Sequence, residues 1–164
     1  SVVPNHQLNR KTPLHTRANV AYFGTFGYEL DLNKLSYEEI SEVKQQIAFM
    51  KEYRELIQFG TFYRLKSPFE GNETAWMTVS EDKKTALVFW YRERNVVNAD
   101  FTRVRLQGLD PDFIYRNEYN GTENYGDELM NLGLLTTDCT AGEPTSEDEP
   151  CTDYESRIYV LTAK

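Results

Sequence analysis

Residues 19–60 have the sequence NVAYFGTFGYELDLNKLSYEEISEVKQQIAFMKEYRELIQFG, and the second half of this stretch predicts a long helix. Ser36 is a favourable N-cap residue, and Glu39 three positions later completes a capping box. Gly60 is typical of the residue that follows a helix C-terminus. We therefore predict a helix over Ser36–Phe59. Its apolar residues recur with the spacing of one helix face: Ile40, Val43, Ile47, Met50 and Ile57, with Phe49, Tyr53 and Leu56 widening the stripe.

Upstream of the long helix, the sequence predicts a short strand and one more helix. Val2 and Val3 favour a strand, which Pro4 ends. Thr12 as N-cap and Pro13 at the first helical position predict a helix over Thr12–Phe23. The helices together carry more aromatic surface than a pair of helices can bury alone, so we expect another part of the protein to cover it.

Downstream of Gly60, the hydrophobic period changes from that of a helix to that of a strand. Short strands at this spacing are typical of an antiparallel sandwich or meander. We therefore expect an α+β chain, with a helical part at residues 1–60 and an antiparallel β-sandwich at residues 61–164. The sequence GDELMNLGL at 126–134 predicts a short helical turn. Six runs are rich in β-branched and aromatic residues: 61–67, 73–80, 85–94, 101–107, 113–119 and 156–163.

Charge and composition exclude several classes of partner. The net charge of −8 over 164 residues disfavours nucleic acid and anionic membranes, which need clustered lysine and arginine. No apolar run approaches the roughly twenty residues that cross a bilayer, and no signal peptide is recognisable at the N-terminus. These features predict a soluble, cytoplasmic protein. Cys139 and Cys151 lie in one acidic loop, and whether they pair stays open.

Few residues fall into patterns that carry chemistry. The sequence has no phosphate-binding glycine loop, no nucleophile elbow and no metal-ligand spacing, so we predict no cofactor and no metal. Trp76 and Trp90 allow two interpretations, sugar stacking and burial in the core, of which burial is the more common for a mid-strand tryptophan. Asn5 and His6 follow a short strand in a polar loop, where barrel enzymes usually contact their ligands. We take these two as candidate substrate-binding residues.

Two long stretches resemble a known family. Residues 1–32, SVVPNHQLNRKTPLHTRANVAYFGTFGYELDL, and residues 62–92, FYRLKSPFEGNETAWMTVSEDKKTALVFWYR, resemble the C-terminal part of bacterial α-galactosidases of glycoside hydrolase family 36. GLDPDFIYR, GDELMNLGL and SRIYVLTAK continue the resemblance to the end of the chain. It implies that PNHQ follows the eighth strand of a catalytic (β/α)8 barrel, that the two helices close this barrel, and that a C-terminal β-sandwich follows. The loop at 136–153 is longer than the family's usual link.

The resemblance also implies a function for the longer protein. Enzymes of this family hydrolyse terminal α-galactosides such as melibiose and raffinose with retention, using one Asp nucleophile and one Asp acid/base. Both family motifs lie upstream of PNHQ, and Asp31 is not a catalytic position, so this chain has no catalytic residue and we expect it to be inactive alone. Its expected partners are the rest of the barrel and, through residues 1–35, a second copy of itself. The alternative function is an autonomous carbohydrate-binding β-sandwich module.

Overall fold

The structure, a computed structural model, describes residues 12–96, 101–136 and 153–164. Backbone contacts divide the chain into two compact units, Ser1–Gln58 and Phe59–Lys164. The first unit is helical and the second is built around antiparallel sheets. The predicted combination of helices followed by an antiparallel sheet is therefore confirmed.

Helix α1 spans Leu14–Ala21 and is shorter than predicted. Pro13, with a ψ angle of 145°, is the N-cap residue, and no side chain of the described residues caps this helix. The prediction of Thr12 as the N-cap was wrong because the extended backbone of Pro13 delays the first helical residue by one position. At the other end, the N–H of Gly24 donates to the carbonyl of Ala21, so the helix ends before Phe23.

Helix α2 spans Tyr37–Phe59 and begins where the sequence predicts. The N–H of Glu39 donates to Oγ of Ser36 at 3.2 Å, and the N–H of Ser36 donates to Oε2 of Glu39 at 2.8 Å. This pair of hydrogen bonds is the predicted capping box. The buried residues of the helix include the predicted Val43 and Met50 and, unexpectedly, the polar Gln46.

The second unit contains a six-stranded and a two-stranded sheet, both antiparallel. The strands and the short helix of its described residues are β1 Thr61–Lys66, β2 Glu73–Val79, β3 Thr85–Arg92, β4 Arg103–Val104, β5 Ile114–Asn117, β6 Glu123–Tyr125, α3 Gly126–Asn131, β7 Leu134–Leu135 and β8 Glu155–Ala163. The order in the larger sheet is β1-β2-β3-β8-β5-β6, so β8 lies in the middle of the sheet. The smaller sheet pairs β4 with β7.

Each of the six predicted strand runs contains a strand, and the predicted helical turn is α3. The run at 101–107 forms only the two-residue strand β4, although it alternates between buried and exposed positions as predicted. Strands β6 and β7 were not predicted, because segments of three and two residues are too short to show a period.

The core of the second unit lies on one face of the larger sheet. Alternate residues of β2, β3 and β8 point to it, as the period of two requires. Val104 of β4 and Leu134 of β7 belong to the same cluster, so both sheets contribute to one core. The buried hydrophobic members are Ala75, Met77, Val79, Ala86, Val88, Trp90, Val104, Leu106, Leu109, Tyr115, Leu129, Leu134, Tyr159 and Leu161.

Candidate functional site

The two candidate substrate-binding residues, Asn5 and His6, lie outside the described residues, as do Cys139 and Cys151. Their proposed roles stay predictions. The same holds for residues 137–152, which form nearly all of the long acidic loop. Among the described residues, the features that bear on function are the two tryptophans, the buried charges and the polar network of the helical unit.

Trp90 is a core residue. Its exposed fraction is 0%, and the guanidinium groups of Arg92 and Arg157 lie 5.4 Å and 5.9 Å from the centroid of its ring. Both distances are within the range of a cation–π interaction. A ring buried in this way cannot receive a sugar, so the carbohydrate-binding interpretation is excluded at Trp90.

Trp76 lies in a different environment. It is half-buried, and its ring stacks on Phe89 with centroids 4.0 Å apart and an interplanar angle of 19°. Together with Phe62 and Phe69, it lines a cavity of about 500 Å³ beside the hairpin that joins β1 to β2. The adjacent strands place Trp76 and Trp90 on opposite faces of the sheet, since Trp76 pairs with Phe89 and Trp90 pairs with Ala75.

The most buried carboxylates of the sheet are held by cations. Glu155 forms ion pairs with both Arg92 and Arg157, and the three side chains are only 17%, 7% and 17% exposed. Glu73 forms an ion pair with Lys66 and accepts a hydrogen bond from the hydroxyl of Thr102. Removing one member of such a group would leave a buried charge uncompensated, which destabilises the fold.

A glycosidase acid needs a carboxyl group whose pKa is raised, whereas the pKa of Asp82 is lowered. Hydrogen bonds from the Ser80 hydroxyl and from the N–H of Lys84 hold the pKa of Asp82 below its usual value. In the part of the chain that the structure describes, no three His, Cys, Asp or Glu side chains are grouped so that they could hold a metal ion.

The helical unit contains a polar network around Gln46 that the sequence did not predict. The hydroxyl of Tyr28 donates to Oε1 of Gln46 at 2.6 Å, and Nε2 of Gln46 donates to Glu42 at 2.8 Å. The hydroxyl of Tyr22 donates to the main-chain carbonyl of Gln46 at 3.4 Å. Burial is the main cause that raises the pKa of both tyrosines, so both hydroxyls stay protonated donors near neutral pH. The one sequence signal for the burial of Gln46 was its position three residues after Val43 and four before Met50, which places it on the same helix face.

Aromatic rings stack on one another within the helical unit. Tyr22 contacts Phe26 and Phe49 with centroid distances of 4.9 Å and 4.8 Å, and only 4% of its surface is exposed. Ala18 of α1 is 5% exposed, whereas Val20 of the same helix is 49% exposed. The aromatic rings of this unit thus cover part of one another's surface, and Val20 stays exposed.

Among the described helices, none combines the length and the apolar character needed to span a membrane.

Comparison with known families identifies the chain. Residues 73–161 match the family model described as the glycosyl hydrolase family 36 C-terminal domain, and residues 1–60 match the model described as melibiase. The chain belongs to glycosyl hydrolase family 36. The predicted resemblance to the C-terminal region of α-galactosidases is thus confirmed.

Individual relatives of this family 36 chain are α-galactosidases. It is 53% identical over 134 residues to α-galactosidase AgaA of Geobacillus stearothermophilus, covering 82% of this chain and 18% of that enzyme. It is 44% identical over 163 residues to α-galactosidase 1 of Pediococcus pentosaceus, covering 99% of this chain and 21% of that enzyme. The crystal structure of AgaA matches 99% of this chain and 21% of its own with a TM-score of 0.87 and 45% identity. This family 36 chain therefore spans about a fifth of the length of its relatives.

Proposed function

We propose that this chain is the C-terminal structural part of a longer retaining α-galactosidase. The observation that carries the proposal is the match to AgaA, which extends over 99% of the chain with a TM-score of 0.87. A match of this extent includes both compact units, so it supports a shared architecture and not only a shared sheet. In this proposal, residues 1–60 belong to the catalytic barrel and residues 61–164 form a separate β-sandwich domain.

The sandwich proposal rests on the common core of the two sheets. Val104 and Leu134, which lie on the small β4–β7 sheet, are in one hydrophobic cluster with Met77 and Trp90 of the large sheet. The two layers of a sandwich share one buried core, so this common cluster supports the sandwich proposal. In the helical unit, we propose that α1 and α2 are the last helices of the barrel, which places Asn5 and His6 at the end of its final strand.

The substrate proposal comes from the family and not from a site within this chain. AgaA variants have been crystallised with stachyose and with raffinose. We propose that the longer protein hydrolyses terminal α-galactosides of the melibiose and raffinose type. A retaining mechanism needs two carboxylates about 5 Å apart, one as nucleophile and one as acid/base. We assign both to the region that precedes this chain in the family, and we assign the chain itself to support of the barrel.

A chimeric enzyme tests this proposal. The matching 21% of AgaA is replaced by this chain, and raffinose hydrolysis is compared with that of AgaA and of AgaA lacking the segment. We expect the chimera to be soluble and active, and the truncated enzyme to be insoluble or inactive. An inactive chimera that folds with the thermal stability of AgaA would contradict a purely structural role. The replaced segment of AgaA would then contribute to activity through residues that this chain lacks.

A further inference from the structure

The cavity beside the β1–β2 hairpin has an aromatic wall. Phe62 is 46% exposed and Phe69 is 94% exposed, and Trp76 completes the wall. The stack of Trp76 on Phe89 fixes the plane of the indole ring. The volume of about 500 Å³ falls within the roughly 300–1,000 Å³ typical of small-molecule sites. The three aromatic rings therefore line one cavity, and the ring of Trp76 is held in place by its stack on Phe89.

Polar side chains of both signs line the same cavity. Arg64, the register partner of Trp76, lies 5.7 Å from the centroid of the Phe62 ring, which keeps its guanidinium beside the aromatic wall. Lys66 is held by its ion pair with Glu73, and Glu70 contributes an exposed carboxylate. Arginine and lysine supply hydrogen-bond donors and glutamate supplies acceptors. Because the charged side chains that line the cavity include both cations and an anion, they can form hydrogen bonds without favouring a strongly charged ligand.

We propose that this cavity, lined by Phe62, Phe69, Trp76, Arg64 and Glu70, binds a neutral oligosaccharide. A sugar ring presents an apolar C–H face, which complements the face of an aromatic ring, and a rim of hydroxyl groups, which complements donors and acceptors. The net charge of −8 disfavours a polyanion. The inference goes beyond the proposed function, which assigns no sugar contact to the sheet, and it holds or fails independently of catalysis.

Titration of the 164-residue chain with raffinose tests the proposal directly. Trp76 lines the cavity and Trp90 is fully buried, so the two indole N–H signals of an NMR spectrum report separately on the site and on the core. We expect raffinose to shift the Trp76 signal in a saturable manner and to leave the Trp90 signal unchanged. Absence of a saturable shift of Trp76 would overturn the proposal.

Matched variants localise the binding. Phe69→Ala should weaken raffinose binding about fivefold or more, whereas Tyr37→Ala, which removes a 90% exposed aromatic residue outside the cavity, should bind as the parent does. Trp76→Phe keeps a ring on Phe89 and should also weaken binding. If Trp76→Phe fails to fold by circular dichroism, the exposed Phe69→Ala and Tyr37→Ala pair decides. Equal raffinose affinity of Phe69→Ala and Tyr37→Ala would overturn the site. A second contrary result is a parent chain that shows no response to raffinose but whose sedimentation changes on Phe69→Ala substitution, because the cavity surface would then bind protein and not sugar.

Discussion

Ser36 and Glu39 satisfy each other's backbone N–H groups at the start of helix α2. The N–H of Glu39 lies 3.2 Å from Oγ of Ser36, and the N–H of Ser36 lies 2.8 Å from Oε2 of Glu39. The first N–H groups of a helix have no partner within the helix, so this arrangement fixes the residue at which α2 begins.

Loss of the cap should destabilise the helical unit. Ser36→Ala removes the Oγ acceptor of the Glu39 N–H, and we expect the free energy of unfolding to fall by about 1 kcal/mol. Chemical denaturation followed by circular dichroism measures this change. Ser41→Ala, an exposed position inside the same helix, is the control and should be neutral or slightly stabilising because alanine favours helix interiors. Equal effects of the two substitutions would show that packing alone holds this helix end.

Gly126 is required by a close backbone approach. A Cβ atom at this position would lie 1.9 Å from the carbonyl oxygen of Asp110, whereas a Cβ at Gly71 would meet nothing within 4 Å. We expect Gly126→Ala to lower the free energy of unfolding of the sheet unit by about 2–3 kcal/mol and Gly71→Ala to leave it nearly unchanged. Urea unfolding of the two variants provides the comparison. A Gly126→Ala variant as stable as Gly71→Ala would mean that the α3 turn is placed differently.

The ion pairs of Glu155 differ in burial from a neighbouring surface pair. Glu155→Gln leaves Arg92 and Arg157 buried without their common carboxylate, and we expect a loss of about 3 kcal/mol. Glu118→Gln breaks the exposed pair with Arg116, whose side chains are 53% and 48% exposed, and should cost less than about 1 kcal/mol. Thermal unfolding at low and high salt measures both. Equal losses in the two variants would contradict the assigned role of the buried pair.

The burial of Tyr22 should make the protein less stable at alkaline pH. Burial raises the pKa of Tyr22 above its ordinary value of 10.0, so the folded state keeps the phenol proton that the unfolded state releases. This stabilisation is fully present below pH 10 and decreases as the pH rises above it. Between about pH 9 and 11, we expect the free energy of unfolding to fall less in Tyr22→Phe than in the parent. Tyr37→Phe, at an exposed position, is the control and should show the same pH dependence of stability as the parent. Urea unfolding across this range measures the slopes, and a parental slope in Tyr22→Phe would be the contrary result.

Local signals in the sequence were sufficient for the helix start and for most strands. The capping box depends only on Ser36 and Glu39, three positions apart, and its residue types determine its geometry. The strands β1, β2, β3 and β8 have long runs of β-branched and aromatic residues, so their period was visible. The shift of α1 to Leu14 was not visible, because Pro13 is compatible with both the N-cap and the first helical turn.

Non-local features could not be predicted. Strand β8 pairs with β3 and β5, which are separated from it by tens of residues, and no local pattern encodes such a partner. Trp76 and Trp90 both lie in the middle of strands, and only the pairing shows that they point to opposite faces of the sheet. Gln46 is buried because Tyr22 and Tyr28 supply its partners from an earlier segment.

Hydrolysis of a chromogenic α-galactoside by the purified 164-residue chain is the most direct test of the central claim, that this chain supports a catalytic barrel and contains no catalytic carboxylates. AgaA serves as the positive control under the same conditions. We predict no turnover above the buffer rate, because a retaining glycosidase that lacks both carboxylates loses several orders of magnitude in rate. Turnover by this chain within about tenfold of the rate of the AgaA control would contradict the account.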